Sequence, residues 1–119
     1  MGSSGVGRFG DYQGGTDPTK DLCRMERKNV GLEEVGRLDY FNVHGTVPAI
    51  MEPVVLNNQL KNGRLVVLSE TTGEEIGFLP SRYSNLLACM RKGFNYRGHV
   101  VYSVSKPIPK VDVDLNAEE

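Results

Sequence analysis

Arg64-Leu65-Val66-Val67-Leu68-Ser69, Glu70-Thr71-Thr72-Gly73-Glu74 and Glu75-Ile76-Gly77-Phe78-Leu79-Pro80 follow one another, and their reading decides the fold. Branched and long apolar side chains fill the first run. A polar, glycine-containing turn follows, and an apolar run returns, which is the pattern of a β-hairpin. Pro80 stops the second strand because it lacks the N–H that a ladder requires. A helix is expected from Ser81 to Lys92. Tyr83, Leu86, Leu87 and Met90 recur at i, i+3, i+4 and i+7, one face of a 3.6-residue period. Ser81 is placed to cap its start, a contribution of about 1 kcal/mol over alanine. Arg91 and Lys92 suit the negative end of the helix dipole, and Gly93 is placed to end the helix.

Phe94 to Val104 then reads as a long strand. Phe94, Tyr96, Val100, Tyr102 and Val104 are expected on one face, and Asn95, Arg97, His99 and Ser103 on the other. Gly98 in its middle predicts a bend or bulge. After the rigid Lys106-Pro107-Ile108-Pro109, Val111, Val113 and Leu115 alternate with Asp112 and Asp114 as a final half-buried strand. On the N-terminal side, Arg37 to Val43 reads as a first strand ending at His44-Gly45. The stretch between Pro48 and Pro53 is irregular, and Val54-Val55-Leu56 is expected as a short edge strand or loop, since proline is poorly tolerated in a central strand. The elements together predict an α+β, mainly β fold. It is a small curled antiparallel sheet, or a partly open barrel of OB or SH3 type, with one well-defined helix over residues 81–92.

The chain has 119 residues, a size for one domain. Residues 1–30 are read as a flexible tail, with a short helix near 18–28 carrying Leu22 and Met25 and capped by Asp17. Six glycines in the first fifteen positions leave little there to bury. Residues 31–116 form the β-rich domain and 117–119 a polar tail. No apolar run approaches the roughly 18 residues of a membrane-spanning helix, and no secretory leader is apparent. Cys23 and Cys89 are too few for a disulfide scaffold, and Cys89 is expected as a buried free thiol. A cytoplasmic location is the corresponding expectation.

The chain is close to neutral, with 14 Lys plus Arg against 15 Asp plus Glu. Its charge is nevertheless sorted. From Ile76 to Val111 stand Arg82, Arg91, Lys92, Arg97, Lys106 and Lys110 and no acidic residue, which leaves eight basic residues elsewhere against all 15 acidic ones. A local positive field of this kind attracts phosphate or carboxylate groups. Arg82, Arg91, Lys92, Arg97 and His99 are therefore candidate nucleic-acid contacts. A solvated face is the plainer use of the same charges, and Asp112 and Asp114 on a neighbouring strand would offset part of the field.

The hairpin, the Gly77-Phe78-Leu79-Pro80 step, the helix to Gly93 and the long strand after it together resemble part of the HIRAN domain over roughly the last 60 residues. The resemblance implies a small curled β-barrel with a helix or two. It also implies a non-enzymatic module that grips single-stranded DNA, often at a 3′ end. It makes Arg37, Tyr40 and Phe41 the nearest candidates for base contacts. The chain departs from that family between the two hairpin strands, where an acidic segment containing Asn and Asp is replaced by Glu70-Thr71-Thr72-Gly73.

No enzyme is expected. Gly5-Val6-Gly7-Arg8-Phe9-Gly10 matches a dinucleotide fingerprint in spelling, but no strand precedes it and no helix follows. His44 and His99 lack the close spacing of metal ligands. The carboxylate pairs sit either on opposite strand faces or at solvated positions. No cofactor or metal is expected. The partner is read as single-stranded nucleic acid, or alternatively a protein. A protein would be held by strand addition at Val54-Val55-Leu56 or through the Gly-rich tail, with its Arg8-Phe9 and Tyr12.

Overall fold

The computed structural model describes residues 18–118. Its six strands are β1 (Arg27–Gly31), β2 (Pro53–Leu56), β3 (Val66–Ser69), β4 (Glu75–Phe78), β5 (Asn95–Val104) and β6 (Lys110–Glu118). They form one antiparallel sheet in the order β1-β6-β5-β2-β3-β4. The sheet curls into a half-barrel of the expected mainly-β class. Past β1 the chain crosses to the far edge, where Glu33 exchanges both backbone hydrogen bonds with Phe78 (2.8 and 2.9 Å). Three short helices, α1 (Pro18–Arg24), α2 (Asp39–His44) and α3 (Leu86–Arg91), pack around the sheet.

The inward side chains of every strand meet in one core. Val30, Val54, Val67, Ile76, Tyr96, Val100, Val113 and Leu115 are fully buried, and Leu86 of α3 closes one end. Burial of a side chain of this size stabilises by about 1.5–3 kcal/mol. A smaller cluster of Leu38, Val66 and Phe78 lies on the outer side of β3–β4, under the segment that leads into α2. Arg64 ties this corner together. Its guanidinium lies 4.5 Å from the Phe78 ring centre and pairs with Glu33 and, at 2.6 Å, with Glu34.

Several expectations change. The expected strand at residues 37–43 is a 3₁₀ turn (Val35–Arg37) followed by α2. Tyr40 and Phe41, one residue apart on opposite faces of a strand, instead both reach the core from adjacent helical positions. Val54-Val55-Leu56 is central, paired with β3 on one side and β5 on the other. Pro53 is tolerated because it opens the strand, so strand addition there has no free edge. The outer edge of β1 carries a bulge at Asn29 (φ 53°) and Lys28, features that discourage edge pairing. The other edge, β4, is crossed by residues 32–35, which approach closely because Gly77 has no side chain. A Cβ there would stand 2.7 Å from that of Leu32.

The helix expected over 81–92 is divided into a 3₁₀ turn (Ser81–Tyr83) and α3. Ser81 lies inside the turn rather than capping a helix, and no side-chain cap bond is made at the start of either piece. Ser84 and Asn85 favour a turn over helix interior, which accounts for the break. Gly93 (φ 105°) ends α3 as anticipated. The long strand keeps its place, but its bulge lies between Val100 and Tyr102 rather than at Gly98. Two residues of β5 there match one step of β6, so Tyr102 faces outward opposite Asp112 and is 45 % exposed.

The final strand continues to Glu118, through the residues read as a tail. The first strand begins inside the expected N-terminal tail, at Arg27. Among residues 21–25 Cys23 is buried, while Leu22 of α1 and Met25 just after it are more than half exposed. Cys23 is disulfide-bonded to Cys89, replacing the expected free thiol. Asp17 and the motifs at residues 5–12 lie outside the described residues.

Candidate binding groove

The outer face of the β2–β5 pair carries an open groove made of two adjoining hollows of about 240 and 230 Å³. They share Val55 and Asn95. One continues over Arg97 and Glu118, the other over Asn57, Asn58 and Leu68. Strand register explains the floor. Asn116, Arg97, Val55 and Leu68 are successive cross-strand partners on β6, β5, β2 and β3 and form one transverse row. Asn95, two residues before Arg97, lies on the same face and is exposed.

Arg97 is braced from two sides. It donates to Glu70 Oε2 of the β3–β4 turn at 2.7 Å, and its other terminal nitrogen lies 3.5 Å from Glu118 Oε1 at the end of β6. The two carboxylates fix its guanidinium and offset its charge. His99 is opposite Asp114 on one side and Pro53 on the other. Arg91 and Lys92 are exposed at the end of α3, and neither forms an ion pair among the described residues. Asn95 follows Lys92 by three positions, so the chain holds the lysine Cα within about 11 Å of that of Asn95.

The other cations of the basic stretch lie elsewhere. Lys110 pairs with Val104 at the far end of the β5–β6 ladder, seven residues and about 23 Å from Arg97. Lys106 is in the adjoining loop. Arg82 lies over the Tyr83 ring at 4.8 Å, beside a separate apolar cleft of about 120 Å³ between Leu60, Leu65, Leu79, Leu87, Ser81 and Ser84. The charge that is continuous in sequence is therefore divided in space, and Arg91 and Lys92 are the cations that stand nearest to the groove strand along the chain.

The residues drawn from the family resemblance do not join this group. Arg37 is highly exposed and lies 3.9 Å from Glu34. Tyr40 and Phe41 pack on the core from α2. Partial burial, and then the nearby Glu52 and Glu74, raise the Tyr40 phenol above its ordinary range, an acidic setting for a group expected to meet DNA. The Tyr40 ring also meets that of His44 at a tilt of 38°, with centres 4.3 Å apart, and His44 Nε2 lies 2.6 Å from Glu74 Oε1.

The hydrogen bond from His44 is the main cause that holds the Glu74 carboxyl below its ordinary range. A carboxyl depressed in the folded state adds stability above its unfolded value and loses it as pH falls through the folded value. His44→Ala is expected to return the Glu74 titration toward the ordinary carboxylate range, read by carbon NMR of the side-chain carboxyl. An identical titration in both proteins would refute this link.

Asn57, Asn58, Glu70 and Glu118 escaped the sequence reading. By sequence Asn57-Asn58 signals only a turn, and the register that sets β2 beside β5 is not written in either strand. Among the described residues no cluster of three or more metal-ligating side chains occurs, and no helix is long and apolar enough to cross a membrane. Comparison of the chain with family models, curated proteins and solved structures gives no match.

Proposed function

We propose that the protein is a non-enzymatic binding module that takes single-stranded nucleic acid along the Asn95 groove. The observation that carries this reading is a groove edged by the amides of Asn57, Asn58 and Asn95, with Arg91 and Lys92, exposed and without an ion pair among the described residues, four and three positions before Asn95 in the chain. Cations that follow the phosphates and amides that bond to base edges are the two chemistries such a ligand requires. Arg97, held by Glu70 and Glu118, presents a fixed donor edge rather than free charge. The HIRAN resemblance of the hairpin-helix-strand sequence points to the same ligand class.

Fluorescence anisotropy with a labelled oligonucleotide tests the proposal. With about two phosphate contacts, from Arg91 and Lys92, affinity is expected to fall roughly 7-fold between 50 and 200 mM salt. Arg91→Gln with Lys92→Gln is expected to remove both contacts and with them most of the salt dependence. Absence of binding at about 100 μM, or binding indifferent to salt, overturns the reading.

A further inference from the structure

We propose that the Glu118 carboxylate withholds Arg97 from a bound strand, and that neutralising it opens a further phosphate contact in the groove. The inference rests on the nucleic-acid reading of the groove and names the residue that sets its affinity.

Register brings the two side chains together. Arg97 faces Asn116 across the β5–β6 ladder, and Glu118 faces Asn95. Residues two apart on a strand share a face, so Glu118 is a diagonal neighbour of Arg97, within reach of a long side chain. Both line the same hollow. The acid also stands beside Asn95, the residue that lies between Arg97 and Lys92 in the chain. It thus interrupts the positive charge that a phosphate backbone can follow from the end of α3 onto β5.

The two carboxylates hold Arg97 differently. Glu70 accepts a hydrogen bond from Nη2 at 2.7 Å, and its own backbone N–H is held by the Pro53 carbonyl at 2.9 Å. Glu70 therefore positions the guanidinium from a fixed turn. Glu118 Oε1 lies 3.5 Å from Nη1, beyond the range of a well-made hydrogen bond. The Glu118 side chain is 51 % exposed and that of Arg97 46 %. So open a pair adds little to stability, and the acid can be neutralised with the fold unchanged.

Its effect is on the ligand. One guanidinium between two carboxylates is a group of net negative charge, and a phosphate gains no attraction on meeting it. With Glu118 neutral, Nη1, the nitrogen that Glu70 does not engage, is left to donate a charge-assisted bond to a phosphate oxygen. Glu118 is thus an autoinhibitory contact within the groove.

Anisotropy with a labelled single-stranded oligonucleotide tests this on four forms of the chain: unaltered, Glu118→Gln, Arg97→Gln and the double variant. Glu118→Gln is expected to tighten binding about two- to fivefold at low salt. Its affinity is expected to fall more steeply between 50 and 200 mM salt, from roughly 7-fold toward the roughly 18-fold of three contacts. In the Arg97→Gln background the same substitution is expected to leave the salt dependence unchanged. A gain of equal size in both backgrounds would make Glu118 a general repulsive charge and overturn the proposal. So would an unchanged affinity in Glu118→Gln beside an unaltered chain that binds, a result that leaves the nucleic-acid reading standing. Absence of binding by both the unaltered chain and Glu118→Gln overturns the two together.

Discussion

Loss of the Cys23–Cys89 bond is expected to lower the unfolding free energy by about 3–4 kcal/mol. The bridge spans 66 residues of sequence, more than half the chain, and closing so long a loop removes much of the freedom of the unfolded state. For a domain of about 100 residues this is a fall in Tm of roughly 15–20 °C. Denaturant unfolding of oxidised and reduced protein measures it directly. A difference below about 1 kcal/mol would mean that the unfolded chain is already compact enough for the bridge to restrict little.

Gly98→Ala is expected to cost about 3–5 kcal/mol, although alanine is ordinarily the better strand residue of the two. A Cβ at position 98 would stand 1.8 Å from the Asp114 carbonyl oxygen, 2.7 Å from its carbon and 3.2 Å from Leu115 Cα. All three atoms belong to the backbone of β6, so no rotamer change relieves the clash. The two longest strands must part where Gly98 faces Leu115, beneath the row that carries Arg97. Gly31→Ala is the control. Its Cβ would meet only the Asp112 carboxylate at 3.4 Å, and a change within about 0.5 kcal/mol is expected. Equal midpoints for the two variants in guanidinium unfolding would refute the close-approach argument.

The part of the fold that was legible lies where local pattern and tertiary environment agree. Val66 to Ser69 and Glu75 to Phe78 pair as a hairpin because each run is apolar and a polar turn separates them. The run from Asn95 and the alternation of Val111, Val113 and Leu115 likewise became the two longest strands. Residues 37–43 misled because Tyr, Phe and Val favour strands intrinsically, while the place they occupy beside β4 requires a helical turn. Tyr102 misled because one extra residue in β5 inverts the facing of everything after it. That insertion leaves no mark in an alternating sequence.

The groove was legible only in part. The outward placement of Asn95 and Arg97 follows from their alternation with Tyr96, and the positions of Arg91 and Lys92 follow from the end of α3. Their neighbours do not follow. Glu70 and Glu118 reach Arg97 from 27 and 21 residues away, and two carboxylates that halt a field cannot be located by counting charges within one window.

From the chain alone came the element types around the hairpin, the apolar faces and the separation of basic from acidic segments, because side-chain period and composition are local properties. Which strand stands beside which, that Cys23 meets Cys89, and which cations keep their charge were decided by closure of the sheet. Those are distances between residues remote in sequence, and they arise only when burial of the shared core selects one register among several that each strand would accept.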